Sequence, residues 1–170
     1  RGGCDLCTQQ WGGDCRTAGF CVYNPATLLK LRAAVGPEIG ANFDPSHLVW
    51  QGIDPAAAIR ELGKENAIFH FHAKDTKIDP YNTAVNGVLD TKPFTDEANR
   101  SWLFRSVGYG HDYSYWKDMV SALQLVGYNG ALSIEHEDSL MTPMEGLEKA
   151  IAFLKEVIIF QPKMTETWWT

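Results

Sequence analysis

Three residues of types that bind divalent metal ions each close a short apolar run. Asp44 follows residues 39–43, His72 follows residues 67–71, and Glu135 follows residues 131–134. Carboxylates with an imidazole suit Mn2+, Co2+, Mg2+ or Zn2+. Active sites of parallel α/β sheets gather at the carboxyl ends of the strands, so three successive strand ends of this chemistry predict one ion-binding centre. The histidines His47, His70, His72, His111 and His136 all fall at or just after such ends, or in one long loop. Each candidate also has a plainer reading. A strand-end Asp commonly caps the next helix. His70 shares strand parity with His72 and reads as a core histidine, and Glu137 and Asp138 read as a solvated loop run.

The elements that must position these groups alternate. Asn24-Pro25, Asp54-Pro55 and Thr142-Pro143 each pair a side-chain cap with proline at the first helical position. Leu28, Leu31 and Val35 then mark one helical face before Gly36-Pro37, and Ala58, Ile59 and Leu62 mark another before Gly63. Met119, Leu123 and Val126 place a helix at 116–125 that stops at Gly127, and the last helix is expected to run to about Ile159. Residues 20–23 read as a weak strand, followed by strands at 39–43, 67–71 and 131–134. Residues 73–112 form a long irregular excursion in which Asn86-Gly87 predicts a small hairpin. Strands alternating with helices give an α/β fold with a parallel sheet of at most four β/α units. Neither GxGxxG nor GxxxxGK[ST] occurs.

Composition narrows the classes further. Of 170 residues 45% are apolar and 21% charged, with a net charge of −6, which fits a folded core and speaks against nucleic acid as a partner. No apolar run approaches the roughly 18 residues a membrane helix needs, and no signal-peptide pattern is visible. Cys4, Cys7, Cys15 and Cys21 crowd the first 21 residues and leave the rest free of cysteine, unlike a secreted disulfide framework, so the expected location is cytoplasmic. Their spacing has the outline of a zinc ribbon without its repeated CxxC; the plainer reading is an irregular tail. The expected organisation is an irregular segment at 1–19, a domain at 20–160 and a tail at 161–170.

The segments NFDPSHLVWQGIDP (42–55), IFHFHAKDT (68–76), RSWLFRSVGYGHD (100–112) and GALSIEHED (130–138) resemble the sugar phosphate isomerase/epimerase family, the xylose isomerase-like TIM barrels. The resemblance covers roughly residues 20–160 and implies the C-terminal half of a (β/α)8 barrel. It also implies one bound divalent ion, Mn2+ favoured over Co2+, Mg2+ or Zn2+, held by Asp44, His72 and Glu135. Glu135 would double as a catalytic acid/base, while His47, Lys74 and Arg105 would contact a sugar. The implied reaction is proton transfer beside a keto-sugar carbonyl; a lyase or hydrolase acting on a glycoside is the alternative. The family's first metal-binding Glu has no counterpart: the chain has Asp14-Cys15-Arg16 there. That departure leaves a third reading, a truncated fragment without turnover. A closed barrel of this type takes eight strands and typically about 250 residues. The chain is therefore expected to form a homo-oligomer, its inner face apolar at Ile39, Ala41, Phe43, Phe69, Phe71, Leu132 and Ile134, or at the alternate positions of those strands.

Overall fold

A computed structural model describes residues 22–90, 92–162, 164, 166 and 169. Side-chain caps start the helices. Asn24, Asp44, Asp54, Asp79 and Thr142 each accept a backbone N–H and are each followed by proline. They open α1 (Pro25–Val35), α2 (Pro45–Trp50), α3 (Pro55–Gly63), α4 (Pro80–Asn86) and α6 (Pro143–Val157); Asp112 caps α5 (Tyr113–Leu125) without a proline. Between them lie β1 (Ala41–Phe43), β2 (Ile68–Ala73), β3 (Asp75–Ile78), β4 (Trp102–Arg105) and β5 (Leu132–Ile134). β1, β2 and β5 form a parallel sheet in that order, with Phe43 beside Phe71 and Phe71 beside Leu132. β3 and β4 form a separate antiparallel pair.

Strand alternation separates two faces. Phe43 and Phe71 stack with ring centroids 5.5 Å apart. They pack with Leu28, Ile59, Leu62, Trp116 and Leu123 in one buried cluster between sheet and helices. Burying one such large side chain contributes about 1.5–3 kcal/mol. The residues expected to make an apolar inner face thus mostly belong to the helix-covered face, apart from Phe69, which is 39% exposed. The opposite face is polar, with Asn42 beside His70 and Ser133 beside His72 in register. Polar side chains there fit a face that lines a site.

Other expectations also change. Residues 22 and 23 are coil, and residues 1–21, with the whole cysteine cluster, lie outside the described ones. The described sheet therefore has three parallel strands. The 73–112 excursion is ordered, with β3 running straight on from β2. Asn86-Gly87 is no hairpin turn: Gly87 ends α4 at φ 70°, and its amide bonds Thr83 O. The strands that do pair are β3 and β4, tied by a second apolar cluster of Trp50, Trp102 and Phe104, with Ile78 and Val88 against it. α2 was not expected at all; it carries Trp50 from β1 into that cluster. No helix among the described residues is long and apolar enough to cross a membrane.

Candidate metal centre

Asp44, His72 and Glu135 meet at the carboxyl end of the parallel sheet. One ligand atom from each lies within 4.8 Å of the others, a span that one ion with bonds of about 2.0–2.3 Å bridges after a small shift. Asp44 is both a cap and a candidate ligand. Its Oδ1 accepts the Ser46 amide (2.9 Å) and hydroxyl (2.7 Å), which leaves Oδ2 for the site. His72 Nδ1 approaches Glu135 Oε2 to 2.6 Å. Yet both atoms are buried and neither makes a hydrogen bond of acceptable angle. Buried polar atoms without a hydrogen bond are costly and rare; a nitrogen and an oxygen that meet only in ion-pair contact, the oxygen also facing the Lys74 ammonium, fit the donor set of a divalent cation.

Asn42, two residues before Asp44 on the same strand face, was not assigned from sequence. Its amide nitrogen lies 3.2 Å from His72 Nε2, and its Oδ1 is buried without a partner. A half-turn of that amide sets Oδ1 against Nε2–H. The orphan is then satisfied and the His72 Nδ1 lone pair points at the site, the orienting role usual for the outer partner of a metal-bound histidine. The i, i+2 spacing with Asp44 was the sequence signal.

Lys74 is the hub of the site. Its side chain is 2% exposed, and Nζ reaches Glu137 Oε2 at 2.7 Å, Asp44 Oδ2 at 3.1 Å and Glu135 Oε2 at 3.3 Å. The ammonium also sits 4.4 Å from the Phe104 ring centroid. Burial alone would lower the Lys74 pKa, but Asp44, Glu137 and Glu135 more than offset it and hold it above the ordinary value. His47 packs edge-on against Phe104 with centroids 5.2 Å apart, and its Nε2 lies 3.4 Å from Asp44 Oδ2. Burial pushes its pKa down, Asp44 opposes and Lys74 adds to the lowering. The imidazole is therefore neutral near pH 7, and its buried Nδ1 is unpaired, suited to a hydroxyl.

Three sequence readings change. Arg105 lies in β4 rather than in a loop, and its Nε donates to Asp138 Oδ2 at 3.0 Å, so Asp138 rather than the candidate ligands holds it. Asp138 is not solvated; it is 4% exposed. His70 is no satisfied core histidine. It is half-buried on the inner face, edge-on to His72 at 5.4 Å, and with Asn42 lines an open cleft of about 620 Å³. Asp75 is scaffold: its carboxylate gathers the amides of Gly108, Gly110 and His111, the Trp116 indole N–H and the His111 ring nitrogen.

A parallel sheet flanked by helices, with carboxylates and an imidazole at its carboxyl end, is the layout of a barrel enzyme's last strands. Residues 6–157 match the xylose isomerase-like TIM barrel family model, and the chain belongs to that family. It is 50% identical over 137 residues to a Bacillus subtilis (strain 168) protein named "Uncharacterized protein YfiH", covering 81% of this chain and 43% of that one. Among solved structures it resembles protein SMc04130 from Sinorhizobium meliloti 1021, with a TM-score of 0.54 and 19% identity over 81% of this chain and 44% of that one. The second likeness concerns the fold alone. In both comparisons the chain spans less than half of the other protein's length.

Proposed function

We propose that the chain carries the metal-binding half of an isomerase or epimerase acting on a keto-sugar or sugar derivative. The observation that carries this reading is the convergence of Asp44, His72 and Glu135, with His72 Nδ1 and Glu135 Oε2 buried face to face at 2.6 Å without a hydrogen bond. A divalent ion there, Mn2+ by preference, would polarise the substrate's carbonyl and hydroxyl oxygens. Glu135 would take the proton from the carbon beside the carbonyl and return it to the former carbonyl carbon, the hydroxyl proton passing between the two oxygens. The neutral His47 hydrogen-bonds a substrate hydroxyl, and the Lys74 ammonium, held by Glu137, keeps positive charge beside the oxygen on which charge develops. Phe104 and the Trp50–Trp102 stack, 5.0 Å between centroids, form an apolar wall behind Lys74 that excludes water.

The 170-residue species is proposed to assemble as a homodimer or larger. β1 and β5 are edges of the described sheet, and Leu147 and Ile151 of α6 are exposed along one helix side at 40% and 39%. Open parallel edges and uncovered apolar helix faces seek a partner.

The test is Mn2+-loaded protein incubated with a panel of ketoses in D2O, followed by proton NMR. Deuterium entering beside the carbonyl, with epimer or aldose formed, supports the isomerase reading. Activity only on 3-keto-glycosides, with elimination or hydrolysis products, moves the reading to a lyase or hydrolase. No exchange with any of these substrates leaves the chain a non-catalytic fragment.

A further inference from the structure

Two oxygens of the candidate centre serve a cation that is already part of the chain. Ser46 occupies Asp44 Oδ1, so Asp44 offers an ion its Oδ2, and Lys74 Nζ lies 3.1 Å from that atom. The same nitrogen lies 3.3 Å from Glu135 Oε2, the atom that meets His72 Nδ1. Two carboxylates held this close repel unless a positive charge sits between them. Almost no solvent reaches the ammonium, because the Lys74 side chain is 2% exposed, although Glu135 keeps 27% of its side chain exposed.

The shortest contact of the ammonium goes the other way, to Glu137 Oε2 at 2.7 Å. Glu137 is outside the ligand trio, and its side chain is 49% exposed. A lysine stem is flexible and its ammonium is a point charge with three donors. The ammonium can thus leave Asp44 and Glu135 without losing all its acceptors, with Phe104 as its wall.

We propose that Lys74 is the resident cation of the metal-free centre, competing with a divalent ion for Asp44 Oδ2 and Glu135 Oε2, and that Glu137 draws its ammonium aside when an ion enters. The proposal rests on the metal-centre reading above. Ion binding is then an exchange: the incoming dication takes two oxygens from the ammonium, and the repulsion between the two cations sets the affinity. A lysine that merely aligned the ligands would do the opposite, helping the ion to bind.

Mn2+ titration of the full chain, followed by the EPR signal of free Mn2+, separates the two roles. Lys74→Met should bind Mn2+ about tenfold or more tightly than wild type, since one buried positive charge a few ångströms away is removed. Glu137→Gln leaves Lys74 on Asp44 and Glu135 and should weaken binding severalfold. The metal-free melting temperature of Lys74→Met should fall, and Mn2+ should raise it by more than in wild type. A Lys74→Met chain that folds only with Mn2+ supports the exchange. Equal or weaker binding by Lys74→Met, or unchanged binding by Glu137→Gln, removes this role for Lys74 while leaving the centre standing. Binding by none of the three proteins removes the centre and the role together.

Discussion

Asp75→Asn tests whether one buried carboxylate ties the 106–112 loop to the sheet. Oδ2 of Asp75 accepts the amides of Gly108 (3.1 Å), Gly110 (3.1 Å) and His111 (2.9 Å) and the Trp116 indole N–H (3.1 Å). Oδ1 accepts the Thr76 amide at 2.9 Å and faces His111 Nδ1 at 2.7 Å. Asparagine keeps the shape and loses the charge. Its oxygen does best on the four-donor side, which turns its NH2 group toward the Thr76 N–H. One buried amide then loses its acceptor, costing about 1–3 kcal/mol. The remaining bonds fall from charge-assisted to neutral, roughly half as strong, which removes about 2 kcal/mol more. The expected loss is therefore about 3–5 kcal/mol, a large share of a typical domain's roughly 5–15 kcal/mol. Urea unfolding followed by tryptophan fluorescence measures it, with the midpoint falling at unchanged slope. The hydrogen bonds of Asp75 go to Thr76, the 108–111 loop and Trp116 rather than to Asp44, His72 or Glu135, so folded Asp75→Asn should bind Mn2+ like wild type. A loss under about 1 kcal/mol would refute the anchoring role.

Asp138→Asn should show a pH-dependent cost. Burial pushes the Asp138 carboxyl up, but the Ser106 amide, Arg105 and the Leu140 amide together hold it below its ordinary 3.8. A depressed folded pKa contributes stability that is complete above the unfolded value and is lost as pH falls through the folded one. The gap between wild type and variant should therefore be constant from about pH 7 to pH 5 and close below about pH 4; a gap that widens in acid would contradict the assignment. His72→Ala should abolish tight Mn2+ binding, whereas His70→Ala, lacking a donor at the centre, should leave it nearly intact; equal effects in isothermal titration would undo that distinction. Light scattering at micromolar concentration should give a dimer or larger, and a compact monomer would show that the sheet edges and the α6 face are covered within one chain.

The convergence of Asp44, His72 and Glu135 was legible because side-chain period and strand ends carry it. Asp44, His72 and Glu135 are fixed by where apolar runs stop, and parity puts Asn42, His70, His72 and Lys74 on one face. Parity alone leaves open which set faces inward; the helix-covered cluster claims Phe43 and Phe71, so the polar alternates line the other face. Local signals in the excursion were present and outweighed. Asp79-Pro80 has the same cap-plus-proline form as Asp54-Pro55 and starts α4, while Asn86-Gly87 looked like a hairpin turn although its glycine ends that helix at positive φ. Asp44-Pro45 likewise starts α2. The burial of Asp138 had no local signal, since it depends on Ser106 and Arg105, 32 and 33 residues away in sequence. The Lys74 hub was equally hidden: its reach to Glu137 spans 63 residues and exists only once β2 and β5 pair.

The most direct test of the centre is pulsed EPR of Mn2+ bound to the chain, which detects nitrogen nuclei coupled to the ion. One imidazole nitrogen should be coupled in wild type, and that coupling should vanish in His72→Gln while Asp44→Asn and Glu135→Gln only weaken binding. No coupled nitrogen in wild type, or a coupling that survives His72→Gln, would contradict an ion held by Asp44, His72 and Glu135.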